Sequence, residues 1–429
     1  MTATCIVVSN MIGTGVFTSL HFQVGPLPSP FAILVLWLVG GVCALCGALA
    51  YGELAAALPR SGGEYHFLSE AFHPAVGFLA GWLSATVGFA APIAAAAMAF
   101  GKYFAEALPG ASPVVLSLVI VALVTIVHLR GTQLGAAFQN ASTALKVALI
   151  FIFIVAGAFV KPVPGVSFAP HAGAWDLMVS PPFAFSLIFV MYAYSGWNAA
   201  TYIVGEVRDP SRNVPLAITL GTFIVAALYL ALNATFLRVA PMSELGAEGK
   251  IEVGYVAATH IFGDAGGRLM AGLICIGLVA SISAMTWIGP RVSMVMGEDH
   301  RLLAPLARKS KRDVPVIAML LQFALVAALL LTASFDQIIN YVQFSLTLCS
   351  MLAVIGVIVL RVRRPDLPRP YRTWGYPVTP AVFLAISAWM LAFTWKQHPH
   401  ESLAGLGTLL LGLAIYALSP KARTDSSSL

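Results

Sequence analysis

What this chain lacks most is charge. Only 10% of its 429 residues are Asp, Glu, Lys or Arg, against roughly 25% in a soluble domain. A single buried core cannot account for that depletion. Apolar residues make up 59% of the chain and its mean hydropathy is +0.88, so most of it must face lipid or other apolar helices. Cysteine is also scarce. Cys5, Cys43, Cys46, Cys275 and Cys349 all lie inside apolar runs, which excludes a disulfide framework. The Cys43-x-x-Cys46 pair sits within "VGGVCALCGALA" and reads as packing, not as a redox or metal pair. No metal-ligand cluster and no nucleophile paired with a base stands out. The composition therefore argues against an enzyme, a bound metal or a cofactor.

What is present is a series of apolar runs. Many reach the roughly 20 residues needed to cross about 30 Å of hydrocarbon. The reading is all-α and polytopic, with twelve spans near 3–22, 30–57, 74–105, 113–129, 136–160, 180–205, 213–238, 268–297, 314–333, 336–361, 378–396 and 402–419. Residues 1–22 have no basic n-region and no cleavage-like motif, so they read as a span and not as a signal peptide. Of the 24 Lys and Arg, only Lys102, Lys161, Arg238, Lys250, Arg268 and Lys396 fall opposite the N-terminal side. The excess of the rest marks the cytoplasm. Both termini are expected there, in the cell inner membrane. The pI near 9.1 follows from this topology and calls for no nucleic acid. The loop at about 239–267 is expected outside, its second half a short amphipathic helix. Residues 362–377 are expected as a cytoplasmic loop and 420–429 as a disordered tail.

Four features carry candidate chemistry. The first is Gly13-Thr14-Gly15 in the middle of the first span. Glycine costs about 1 kcal/mol in a helix interior. Close helix packing through small residues is one reading. An unwound segment is the other, with freed N–H groups and a half-helix end suited to a carboxylate. The second is Ser195-Gly196-Trp197-Asn198 in the sixth span, again turn-forming residues inside an apolar helix. Two breaks at corresponding places suggest inverted repeats of five helices with a substrate site between them. Carboxylate on one break and ammonium on the carbonyls of the other would recognise an α-amino acid. A ligand-free kink is the alternative. The third is Lys146, either snorkelling to the interface or acting within the membrane as a proton carrier or a fixed charge in an ion site. The fourth is Glu53, which with Arg60, Glu64, Glu206 and Arg208 lies on the cytoplasmic side. These residues read as an intracellular gate network, with solvated helix ends as the plainer view. His128, near a span end, reads as interfacial.

Several segments then resemble a known family. "NMIGTGVF", "YGELAAALPRSGGEYHFLSEAFHPAVGFLAGW", "RGTQLGAAFQNASTALK", "YSGWNAATYIVGEVRDPSRNVPLAI" and "RVSMVMGEDHRLLAP" are similar to signatures of the amino acid–polyamine–organocation (APC) superfamily. They resemble most its L-type amino acid transporter branch and bacterial relatives. The resemblance implies the LeuT-like 5+5 inverted repeat with two extra C-terminal helices. That is a core over 1–361 (repeats about 3–160 and 180–361) and helices eleven and twelve over 378–419. It further implies that Ile12, Gly13, Thr14, Gly15 and Val16 hold the substrate carboxylate through N–H groups. The carbonyls of Tyr192, Ala193, Tyr194 and Ser195, beside Gly196, would hold the ammonium. Tyr192 would close over the substrate, and Asn198 would be the polar residue after the break. Lys146 would fill a sodium position and bridge helices 1 and 8. "WIGPR", Trp287 to Arg291, departs from the pattern, and Pro290 is expected to kink helix 8.

The function implied is alternating-access transport of L-amino acids, proton-coupled or by exchange. A neutral substrate is preferred, because the only mid-membrane acids expected, Glu53 and Glu206, sit toward the cytoplasm and an unpaired buried charge is costly. A cationic amino acid or polyamine transporter of the same fold is the alternative. A substrate sensor without transport is the alternative of another class. The expected partners are the amino acid substrate and the lipid bilayer. Some L-type members use an extracellular Cys to join a partner subunit. No Cys here falls in an outside loop, so no disulfide-linked partner is expected.

Overall fold

The computed structural model describes residues 2–107, 110–170, 172–247, 253–332, 335–397 and 399–419. Its regular elements are all helical. The first expected span is not one helix but three pieces, α1 (Thr2–Met11), α2 (Gly15–Thr18) and α3 (His21–Val24). Ser19 and Leu20 between the last two keep right-handed helical φ/ψ, so Gly15 to Val24 forms one half-helix. Then come α4 (Pro30–Ala57), α5 (Glu64–Ala71) and α6 (Pro74–Leu83). A π-turn, Ser84–Gly88, joins α6 to α7 (Ala90–Ala107). After α8 (Pro113–Leu129), α9 (Thr132–Phe159) and the short α10 (Ala174–Met178), α11 (Pro181–Tyr194) ends at the second break. A 3₁₀ segment, Ala199–Glu206, resumes the chain beyond it.

The remainder comprises α12 (Pro210–Val239), α13 (Met242–Leu245), α14 (Val253–Asp299), α15 (Val316–Thr332), α16 (Phe335–Arg363), α17 (Val378–Gln397) and α18 (Pro399–Leu418). Local chemistry sets several starts. Pro follows the N-cap of α4, α6 and α11, where its missing N–H costs nothing. Ser29 and Ser180 cap α4 and α11 by accepting from Ala32 N and Phe183 N. The first turns of α14 precede a non-helical Gly263 (φ 73°), so they form a separate short helix in the expected outside loop. Helical φ/ψ persists through Pro290, so the helix continues past the proline, which removes one of its hydrogen bonds. The tail 420–429 lies outside the described residues.

Seven described helical stretches are long and apolar enough to cross a bilayer, and four shorter apolar helices accompany them. Large apolar side chains stand on the outer faces, such as Phe151 at 61%, Phe223 at 60% and Leu410 at 68% exposure. That exterior suits hydrocarbon and not water. Inside, α4 packs along α12, and α1 packs against α9, α12 and α14. Buried aromatics fill this centre. Tyr194 donates to the Trp37 carbonyl (3.1 Å) and Trp37 Nε1 donates to Gln23 Oε1 (2.8 Å).

Candidate functional site

Both breaks open on one cavity of about 90 Å³. From the first break it is lined by Gly13, Thr14 and Gly15, and from the second by Tyr192, Ala193, Ser195, Gly196, Trp197 and Asn198. Ile12 and Val16 lie behind this wall, as does Tyr194, whose hydroxyl points away to Trp37.

The first break has two chemically distinct ends. On the α2 side, none of the described hydrogen bonds is donated by the N–H of Thr14, Gly15 or Val16. These are the orphan donors that every helix start leaves. On the α1 side the orphan carbonyls are capped. Lys146 Nζ donates to Ile12 O (2.5 Å), Ser9 O (3.3 Å) and Ser281 Oγ (2.7 Å). Ser281 Oγ also donates to Ile12 O (2.6 Å), and Tyr229 OH donates to Met11 O (2.7 Å). Lys146, from α9, is 2% exposed, so it does not snorkel. Its amine sits at a helix C-terminus, where the partial charge is negative, and it ties α1 to α14.

Gly15 is required by contact. A Cβ there would lie 2.5 Å from Ala193 Cα, so α2 rests directly on the end of α11. At Gly13 the nearest atom to such a Cβ is Ser281 Oγ at 3.9 Å. At the second break Gly196 has φ +93°, a left-handed conformation natural only to glycine. Its carbonyl accepts from Asn10 Nδ2 (3.1 Å), which links the two breaks. Thr14 Oγ1 and Tyr192 OH, 3.3 Å apart, link them again. The Tyr192 carbonyl is taken by Ser195 N and Oγ, and that of Ala193 by Tyr229 OH. Those of Tyr194 and Ser195 accept none of the described bonds.

Glu64 is the main departure from the sequence reading. Expected in the gate, it lines the cavity and is 3% exposed. Its oxygens accept from Tyr51 OH (2.8 Å), Asn198 Nδ2 (2.7 Å) and Tyr202 OH. The cause is local. Gly62 and Gly63 precede it with φ +116° and +54°, a turn that brings the α5 start under the second break. The π-turn was also missed, and Ser84 and Gly88 from it line the same cavity. Pro92 four residues after Gly88 cannot donate to the Gly88 carbonyl, which loosens the helix there.

The remaining gate residues separate into three clusters. Arg60 Nη2 pairs with Asp299 Oδ1 (2.8 Å), and Tyr65 OH donates to Asp299 Oδ2 (2.7 Å). Arg291 pairs with Glu206 (2.8 Å). Glu53 is held by Arg361 (2.8 and 2.6 Å), Arg369 (3.4 Å) and Thr373 N and Oγ1 (both 2.7 Å). Arg208 makes no ion pair among the described residues. His128 faces the protein interior. It is 5% exposed, with Nε2 2.8 Å from Ser283 Oγ.

The amino-acid permease profile matches residues 1–413. The b(0,+)-type amino acid transporter 1 of Mus musculus is 28% identical over 428 residues, covering 96% of this chain and 86% of that protein. The serine/threonine exchanger SteT of Bacillus subtilis is 28% identical over 423 residues, covering 96% and 94%. The large neutral amino acids transporter small subunit 2 of Homo sapiens is 28% identical over 428 residues, covering 96% and 78%.

Proposed function

This chain belongs to the amino acid permease family, and from that premise we propose that the cavity between the two breaks is where it binds the amino acid it transports. It is a multi-pass membrane transporter of amino acids and not an enzyme. The observation that carries the site assignment is the meeting of the two breaks on one cavity. The substrate carboxylate docks on the free N–H groups of Thr14 and Gly15, at the positive end of the Gly15 to Val24 half-helix. The ammonium docks on the free carbonyl of Ser195, which lines the cavity. Tyr192, joined to Thr14, closes over it.

The finer architecture belongs to the same proposal. Twelve spans form a LeuT-like 5+5 inverted repeat plus two helices, with both termini cytoplasmic in the inner membrane. Lys146 holds the end of α1 against α14 and either stands where an ion would or carries the coupled proton. The Arg60–Asp299 and Arg291–Glu206 pairs both engage α14 and close the cytoplasmic side. A small substrate is preferred, while the expected ground for a neutral one falls away, because Glu64 is an acid in the cavity wall.

Thermal unfolding of the detergent-purified chain with a panel of amino acids tests this. Ligands bound only by the folded state raise Tm with concentration. Small L-amino acids should do so, while the matching amine and the matching acid alone should not. If single-ended analogues stabilise equally, the two-ended site is refuted.

A further inference from the structure

The Glu64 carboxylate is buried in the cavity wall without a cation. Its three described partners, the Tyr51 and Tyr202 hydroxyls and the Asn198 amide, are all neutral donors. Among the described residues it makes no ion pair, and Arg60, four positions earlier, is committed to Asp299. An ionised carboxylate offers about four acceptor sites. Three are filled, so one remains. Its three bonds tie the α5 start to α4 and to the segment after the second break, and the remaining acceptor position is open to the cavity that Glu64 lines. Elsewhere the wall combines apolar residues such as Phe89, Met191 and Met285 with neutral hydroxyls such as Ser84, Ser350 and Ser387, and Glu64 is the one acid or base among its described residues. Asn198 belongs both to the Glu64 cluster and to the second break, so the acid lies next to where an α-amino acid would be held.

We propose that Glu64, positioned by Tyr51, Asn198 and Tyr202, is the side-chain subsite of this cavity, accepting a hydrogen bond from a donor on the substrate side chain. It selects small amino acids bearing a side-chain hydroxyl or short ammonium over isosteres that are purely apolar. The assignment rests on the substrate reading of the cavity and adds the side-chain chemistry to it. An apolar pocket discriminates poorly against an isostere with an added hydroxyl, whereas a site built to accept from that hydroxyl rejects the analogue lacking it, because its own acceptor is then left unpaired.

The test compares isosteric pairs on the full-length purified protein. Kd is measured for threonine against valine, and for 2,3-diaminopropionate against 2-aminobutyrate. Wild type should bind the donor-bearing member of each pair at least about tenfold more tightly. In Glu64→Gln the preference for the ammonium should fall most, and that for threonine should shrink to within about threefold, with valine affinity little changed. Equal wild-type affinities for threonine and valine would overturn the assignment without any variant. So would preferences that survive Glu64→Gln unchanged. If neither member of any pair binds, the substrate reading of the cavity fails and takes the subsite with it.

Discussion

Lys146 shows how one residue can settle the state of a helix. The α1 carbonyls freed at the first break would be unsatisfied in an apolar interior, each costing about 1–3 kcal/mol. The Lys146 ammonium and the Ser281 hydroxyl satisfy them. Removing the ammonium should therefore loosen α1 from α14. Lys146→Ala should lower Tm in detergent and impair amino acid uptake or abolish its dependence on pH. Uptake with normal rate and normal pH dependence in that variant would contradict its role. Lys146 was legible in the sequence as a charge within an apolar run. Glu64 was not, although a Gly-Gly before an acid in an otherwise apolar stretch was a usable signal. A charge near a span end normally means a solvated end, and only the left-handed turn at Gly62 and Gly63 brings this one inward.

At the scale of elements, the two breaks rest on different physics. Gly196 needs its backbone conformation. Gly15 needs its missing side chain, because α2 sits against Ala193. Gly13 needs neither strictly. The two readings of Gly-Thr-Gly, close packing and unwinding, thus apply together, one to each part of the motif. Gly15→Ala should force α2 away from α11 at an overpacking cost of about 1–3 kcal/mol, with a matching loss of substrate affinity. Gly13→Ala should be tolerated in stability. Differential scanning fluorimetry with and without ligand checks both, and equal effects of the two substitutions would contradict the packing argument. The positions of the apolar helices were readable from run length, because hydrocarbon thickness sets a length that sequence displays directly. The π-turn at Ser84–Gly88 was not, since its cause is a lost hydrogen bond at Pro92 inside an apolar run with no charge to mark it.

For the whole molecule, charge is confined to where it does work. Among the described ion pairs, those of Arg60, Arg291 and Arg361 engage helix ends or connecting segments, while Lys146 is buried against the end of α1 and Glu64 in the cavity wall. Side-chain partners across the bundle could not be read from sequence. Glu53 and Arg361 are 308 positions apart, and no local pattern links them. The pairing of the expected gate acids and bases was therefore not readable. The central claim is that this chain carries amino acids across a membrane through the cavity between its two breaks. Uptake of labelled serine or threonine into proteoliposomes containing the purified protein tests it most directly. The account predicts time-dependent, saturable accumulation that is competed by unlabelled small amino acids and is weakened by Gly15→Ala. Binding in detergent together with no uptake above protein-free vesicles, with or without internal amino acid and across a pH gradient of either sign, would contradict it.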